Sequence, residues 1–190
     1  KTTNKCINII RETLVREGAP ADIIQGIEEP SITLTQELMK RCDLVIATGG
    51  RPMVKSAYSS GVPAYGSGAG NATVIIDNTC NTAERQAEAA MNTRISKCSD
   101  FGSGCSCDGN LIIHEDVYDG FVAALVKEGA YLANEEEAEK LKAVMWDEAG
   151  HRLPNTVAIS PQKLAEAAGF EIPADRKFIA VTGGGIENVG

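Results

Sequence analysis

Short β-branched runs alternate with helical patterns along the first part of this chain, and that alternation restricts its fold more than any other feature. Asp43-Leu44-Val45-Ile46-Ala47-Thr48 reads as a buried strand closed by the tight turn Gly49-Gly50. Pro52 suits the first turn of a helix running to about Ser60, and Val62-Pro63-Ala64-Tyr65 reads as the next strand. Upstream, Ile7, Ile10, Leu14 and Val15 predict a helix over 2–17, ended by Gly18 and Pro20. Ile23-Ile24-Gln25-Gly26-Ile27 reads as a short strand. Ser31 can cap a helix to about Lys40. Strands alternating with helices predict an α/β chain whose parallel sheet carries helices on its faces. A nucleotide-binding half-domain is the natural candidate, although fold alone does not give function.

The glycine-rich stretch Gly66–Asn71 marks a change of character. Thr73–Ile76 is expected to be a strand, followed by a helix from about Thr82 to Lys97 that packs through Ala83, Ala87, Ala90, Met91 and Ile95. Residues 100–109 read as a loop with two cysteines and three glycines. Leu111–Ile113, Thr156–Ile159 and Lys177–Val181 read as strands, and 116–128, 135–146 and 161–168 as helices. Glu135-Glu136-Glu137 is the acidic start of one of these helices, where carboxylates meet the helix dipole.

Some function classes are disfavoured by composition. The 190 residues carry a net charge of −8 and no basic stripe, which argues against a nucleic-acid partner. No apolar run approaches the roughly 20 residues of a membrane span. The 43 % hydrophobic fraction can supply a core. Six cysteines, at 6, 42, 80, 98, 105 and 107, could suggest a disulfide framework, but without an export signal reduced thiols are the better reading. The chain opens inside a helix and closes on a loop, so it reads as an internal piece of a longer protein.

Phe101-Gly102-Ser103-Gly104-Cys105-Ser106-Cys107-Asp108-Gly109-Asn110 is the segment richest in chemistry. A nucleophilic cysteine needs access, backbone N–H donors for an oxyanion, and help in becoming a thiolate. Glycines around it free the backbone to supply those donors. Two plainer readings stay open. Cys105 and Cys107 could be small buried residues. Alternatively Cys98, Cys105 and Cys107, with Cys80 or His114, could hold zinc, although the spacing is not that of paired Cys-x2-Cys knuckles.

The second signal is glycine turns. Ala47-Thr48-Gly49-Gly50 ends a strand and opens a helix, where a pyrophosphate can meet free N–H groups. The dinucleotide fingerprint Gly-x-Gly-x-x-Gly is absent: Gly66–Asn71 ends in Asn and opens no helix, and Gly183-x-Gly185-x-x-Asn188 also fails. A plain turn stays open for each.

Taken in order, these segments resemble the aldehyde dehydrogenase superfamily. Gly18-Ala19-Pro20 with Ile23-Ile24 resembles its helix-to-strand step. Ala47–Gly50 resembles its Phe-Thr-Gly-Ser turn, Gly66–Asn71 stands in the place of Glu-Leu-Gly-Gly-Lys, and Phe101–Asn110 resembles its cysteine loop. Met53–Gly61, Pro63-Ala64 and Gly68-Ala69-Gly70-Asn71 are similar to the CoA-acylating branch, and Gly104–Asp108 most resembles its sulfoacetaldehyde dehydrogenases.

The resemblance implies part of a Rossmann-type cofactor domain over 1–71, then part of an α/β catalytic domain over 72–190. It implies Cys107 as nucleophile and its N–H as an oxyanion donor, with Cys105 at a position the family does not need. Thr48, Gly49, Gly50, Met53, Gly66, Ser67 and Gly68 are implied to line NAD or NADP, with no metal. CoA would be co-substrate, and a small aldehyde the substrate: sulfoacetaldehyde first, acetaldehyde or succinate semialdehyde as alternatives. A homodimer or homotetramer in the cytoplasm is implied, a bacterial microcompartment being the alternative. Hydrolytic members use the motif's glutamate to activate water; here Ser67 falls near that place and no acidic residue occurs between Ala64 and Ala72. Water is a poor nucleophile without a base, whereas a thiol, with a reference pKa near 8.5, ionises readily. The contrasting class is an inactive fragment or interaction module.

Overall fold

The computed structural model describes residues 2–68 and 70–183. The chain divides into two compact units, residues 1–69 and 70–190.

In the first unit, α1 (Thr2–Arg16) and α2 (Ile32–Arg41) precede β1 (Val45–Thr48), α3 (Arg51–Tyr58) and β2 (Ala64–Ser67). The Ser31 hydroxyl accepts from the Leu34 N–H and starts α2. β1 and β2 pair in parallel, Val45 opposite Ala64 and Thr48 opposite Ser67, with α3 as the crossover. Met39, Val45, Ala47 and Ala57 form the core. The strand expected over 23–27 does not form. The Arg11 guanidinium donates twice to the Ile24 carbonyl, at 3.0 and 2.9 Å, and Asn4 donates to the Ile27 carbonyl at 2.9 Å. Side chains of α1 thus satisfy backbone groups that a neighbouring strand would otherwise take.

The second unit contains β3 (Ala72–Ile76), α4 (Ala83–Cys98), β4 (Asp108–Ile113), α5 (Tyr118–Lys127), β5 (Ala130–Ala133), α6 (Glu135–Met145), α7 (Pro161–Ala167) and β6 (Phe178–Val181). β3 pairs with β4, and β5 with β6, both in parallel. Val74, Ile76, Leu111 and Ile113 turn one face of the first pair toward Ala90 of α4 and Phe121 and Leu125 of α5. A second cluster joins Ala133 and Ile179 to Leu141, Leu164 and Phe170. The opposite face of β3 is bare, Ile75 being 71 % exposed, as is that of β1 in the first unit, where Ile46 is 77 % exposed.

Three local expectations are corrected. Thr156–Ile159 is not a strand; Pro154–Thr156 is a 3-10 turn and Ala158 is left-handed at φ 56°. There Arg152 takes the Thr156 carbonyl at 2.8 Å, leaving it unavailable to a sheet. The β5 strand, absent from the sequence reading, forms because Ala130 meets Phe178 far along the chain. Finally, α4 buries Ala90 and Thr93, while Ala83, Ala87, Met91 and Ile95 face outward. The Gly185–Asn188 part of the last glycine stretch lies outside the described residues.

Candidate active site: a cysteine turn and a glycine turn

The cysteine loop leaves the end of α4 and enters β4. Asp100, Phe101 and Gly102 are left-handed in succession, at φ 48°, 51° and 72°. Glycine accepts this conformation freely and aspartate tolerably, but phenylalanine does so at a cost. Such strain accumulates where a chain must present a group. Ser103 stabilises the turn, its hydroxyl donating to the Asp100 carboxylate at 2.7 Å.

The Gly104 carbonyl then accepts from the Cys107 N–H at 3.0 Å. This closes a β-turn with Cys105 and Ser106 at its tip. Cys105 is exposed. Among the described residues, the N–H groups of Cys105 and Ser106 have no protein acceptor. Cys107 is half-buried and its thiol points back to the Ser99 carbonyl at 3.8 Å. Its N–H, implied by the resemblance to be an oxyanion donor, closes that turn.

The far side of the loop is shaped by two glycines. β4 carries a register shift between its pairs Ala72–Asp108 and Thr73–Asn110, so Gly109 is an extra residue. The Asn71 side chain occupies the space a side chain at 109 would need. A side chain at Gly70 would meet the Cys105 carbonyl at 3.0 Å. Gly70 and Asn71 therefore back the cysteine turn. Cys98 packs against the main core and its thiol reaches the Lys177 carbonyl at 3.6 Å. Burial pushes its pKa up, against the opposing pull of Arg94, Lys177 and Lys97, which keeps it a thiol. Among the described residues, no three His, Cys, Asp or Glu side chains gather as a metal site, so the zinc alternative finds no support.

The expected cofactor residues Thr48, Gly49, Gly50, Met53, Gly66, Ser67 and Gly68 all fall in the first unit, at one end of the β1–β2 pair and the start of α3. Cys107 and Cys105 belong to the other unit. Gly49 donates its N–H to the Ser67 carbonyl at 3.1 Å, so that donor serves the turn. Gly50 caps α3 without a side-chain bond, and the N–H groups of Gly50 and Arg51 have no protein acceptor among the described residues. A helix start with unpaired donors suits a diphosphate. Thr48, Gly50, Met53, Ser67 and Gly68 are exposed.

Gly66 is required by packing. A Cβ there would lie 2.6 Å from Val54 Cγ1 and 2.8 Å from the Tyr58 ring, which is itself held by the Gly66 N–H donating to its hydroxyl at 3.0 Å. Gly66→Ala must lift α3 off β2. It is expected to cost about 1–3 kcal/mol, read as a lower midpoint in chemical denaturation; an unchanged midpoint would show that α3 gives way freely.

Among known proteins, the model of the aldehyde dehydrogenase family matches residues 1–165. The acylating sulfoacetaldehyde dehydrogenase of Bilophila wadsworthia is 42 % identical over 96 % of this chain and 39 % of its own length. The crystal structure of an acetylating aldehyde dehydrogenase from Geobacillus thermoglucosidasius superposes with a TM-score of 0.88 at 38 % identity, over 98 % of this chain and 41 % of that one. A propionaldehyde dehydrogenase from Rhodopseudomonas palustris, solved with bound CoA and an acylated cysteine, gives a TM-score of 0.80 at 27 % identity, over 90 % of this chain and 39 % of that one. The chain thus spans about two fifths of the length of the relatives it matches. The parallel β-α-β units, the cysteine turn and the family match over residues 1–165 agree: this chain belongs to the aldehyde dehydrogenase family.

Proposed function

We propose that the chain carries the cofactor turn and the nucleophile loop of a CoA-acylating aldehyde dehydrogenase, with Cys107 as nucleophile. Residues 1–71 are read as part of the dinucleotide-binding domain and 72–190 as part of the catalytic domain. The observation that supports the proposal is the loop itself, in which Gly104 and Cys107 close a turn at the entry to β4 and Cys107 lies half-buried. Cys105 is the second reading: it is exposed at the tip of that turn, and its N–H and that of Ser106 have no protein acceptor among the described residues.

In this reading the Cys107 thiolate attacks the aldehyde carbonyl, with its backbone N–H as one donor to the negative oxygen. NAD or NADP, when bound, accepts the hydride. Thr48, Gly49, Gly50 and the first turn of α3 would hold its diphosphate and Met53 would line the site, with Gly66, Ser67 and Gly68 at the neighbouring strand end. The thioester left on Cys107 passes its acyl group to the CoA thiol, which frees the cysteine. No carboxylate stands between Ala64 and Ala72 to activate water instead. The Rhodopseudomonas relative, with CoA and an acylated cysteine, supports this order of events.

Sulfoacetaldehyde is the proposed substrate, in keeping with the Bilophila relative. A sulfonate is held by Arg, Lys or backbone N–H donors. Of the basic side chains near the loop in sequence, Arg94 is held by Glu128 at 2.6 Å and Lys55 belongs to the other unit. The Lys97 stem runs alongside Gly102 of the cysteine loop. Lys97 is therefore the candidate sulfonate partner.

The test is a panel of sulfoacetaldehyde, acetaldehyde and succinate semialdehyde on the full-length protein, with and without CoA and with each nicotinamide cofactor. Sustained cofactor reduction is expected to need CoA, slowing about 100-fold or more without it. Lys97→Gln is expected to lower kcat/KM for sulfoacetaldehyde roughly tenfold more than for acetaldehyde. Equal turnover to the free acid without CoA would refute the acylating reading, and a native preference for acetaldehyde the sulfonate one.

A further inference from the structure

The second strand of the first unit has an open edge, and one side chain closes it. β2 pairs with β1 alone among the described residues. Across that pair the Pro63 and Ser67 carbonyls accept from the N–H groups of Val45 and Gly49, at 2.9 and 3.1 Å. Successive residues of a strand turn their backbone groups to alternate sides, so the N–H and C=O of Gly66 face the other edge. The Tyr58 hydroxyl meets both. It accepts from the Gly66 N–H at 3.0 Å and donates to the Gly66 carbonyl at the longer distance of 3.4 Å. It stands where a next strand would. Tyr58 ends α3, and Val54 lies one turn earlier on the same face. Both rest against Gly66, whose missing side chain gives them room. A plain ring would fill that space as well, and Tyr58 is 58 % exposed, so water would satisfy Gly66 in its absence. The hydroxyl therefore adds direction more than stability.

We propose that Tyr58 is a positioning residue for the nicotinamide cofactor, fixing the strand end Gly66-Ser67-Gly68 against the glycine turn that opens α3. This rests on the reading of those residues as cofactor-lining. The line of bonds is short. Tyr58 holds Gly66, the Ser67 carbonyl takes the Gly49 N–H, and Gly50 then caps α3 with an N–H that has no protein acceptor among the described residues. The helix that begins at the diphosphate turn thus ends by gripping the strand beside it. Without the hydroxyl, the strand end is held from the β1 side only, and the cofactor must order it on binding. Tyr58 meets no reacting atom. Its loss therefore weakens ground and transition states alike, which lowers cofactor affinity and leaves the rate of the bound complex unchanged.

The test compares Tyr58→Phe and Gly50→Asp in the full-length protein. Tyr58→Phe keeps the ring and removes both bonds. It is expected to weaken NADH or NADPH binding, read by fluorescence titration, about fivefold. Its kcat at saturating cofactor should stay within about twofold of wild type, with an unchanged thermal midpoint. Amide hydrogen exchange at Gly66 should quicken by about fivefold or more. Gly50→Asp tests the reading beneath. Aspartate suits the N-cap of α3, so the fold is kept, but its carboxylate at the diphosphate turn should weaken the cofactor about tenfold or more. Wild-type affinity in Tyr58→Phe beside a weakened Gly50→Asp overturns the role of Tyr58 alone. A weaker Tyr58→Phe whose kcat and thermal midpoint fall in step also overturns it, since that marks a loosened fold rather than a displaced strand end. Full affinity in Gly50→Asp removes the cofactor reading, and the proposal falls with it.

Discussion

Replacing Cys107 by alanine in the full-length protein is expected to abolish CoA-dependent cofactor reduction, by roughly 10⁴-fold or more, while Cys105→Ala keeps most of it. The difference comes from the place of each sulfur in the loop. Cys107 completes the Phe101-x-x-Gly104-x-x-Cys107 pattern at the entry to β4, whereas Cys105 stands exposed at the tip of the Gly104–Cys107 turn. Iodoacetamide should label Cys98 later than the loop cysteines, since burial raises the Cys98 pKa. An active Cys107→Ala beside a dead Cys105→Ala would give the role to Cys105.

The second large effect is on stability. Phe121→Ala is expected to destabilise the second unit by about 3–5 kcal/mol, a large part of the 5–15 kcal/mol typical of a whole fold. Phe121 is the one large side chain with no exposure among the described residues, and it packs with Ile76, Ala90, Val117, Leu125 and Phe178. Its ring thus joins α5 to α4, β3 and β6. Because α4 and β4 carry the two ends of the cysteine loop, the same loss should loosen the turn. Urea denaturation of Phe121→Ala and of the exposed Glu166→Ala would show it: the second should stay within about 0.5 kcal/mol of wild type. A Phe121→Ala cost below about 1 kcal/mol would mean that the core closes without the ring.

Features governed by neighbouring residues were legible in the sequence. Ser31 caps its helix through its own hydroxyl. Val45–Thr48, the glycine turn and the helix after Pro52 form where the pattern placed them. The order of the glycine and cysteine motifs pointed to the family now shown by the match over residues 1–165. Each of these depends on bonds or spacings reaching only a few residues.

What only the tertiary structure decided depended on distant partners. A strand exists only if another lies beside it, so β-branched Ile23–Ile27 stays irregular under Arg11 and Asn4, while plain Ala130–Ala133 becomes a strand against Phe178–Val181. Helix α4 offers more than one apolar stripe, and the neighbouring α5 and strands select Ala90 and Thr93 over Met91 and Ile95. The exposure of the two cysteines is of the same kind. Sequence marks Phe101–Asn110 as a loop of glycines and thiols. That Cys105 is exposed and Cys107 half-buried follows from the left-handed turn at 100–102 and the Gly104–Cys107 bond, neither of which is written in the spacing of the two residues.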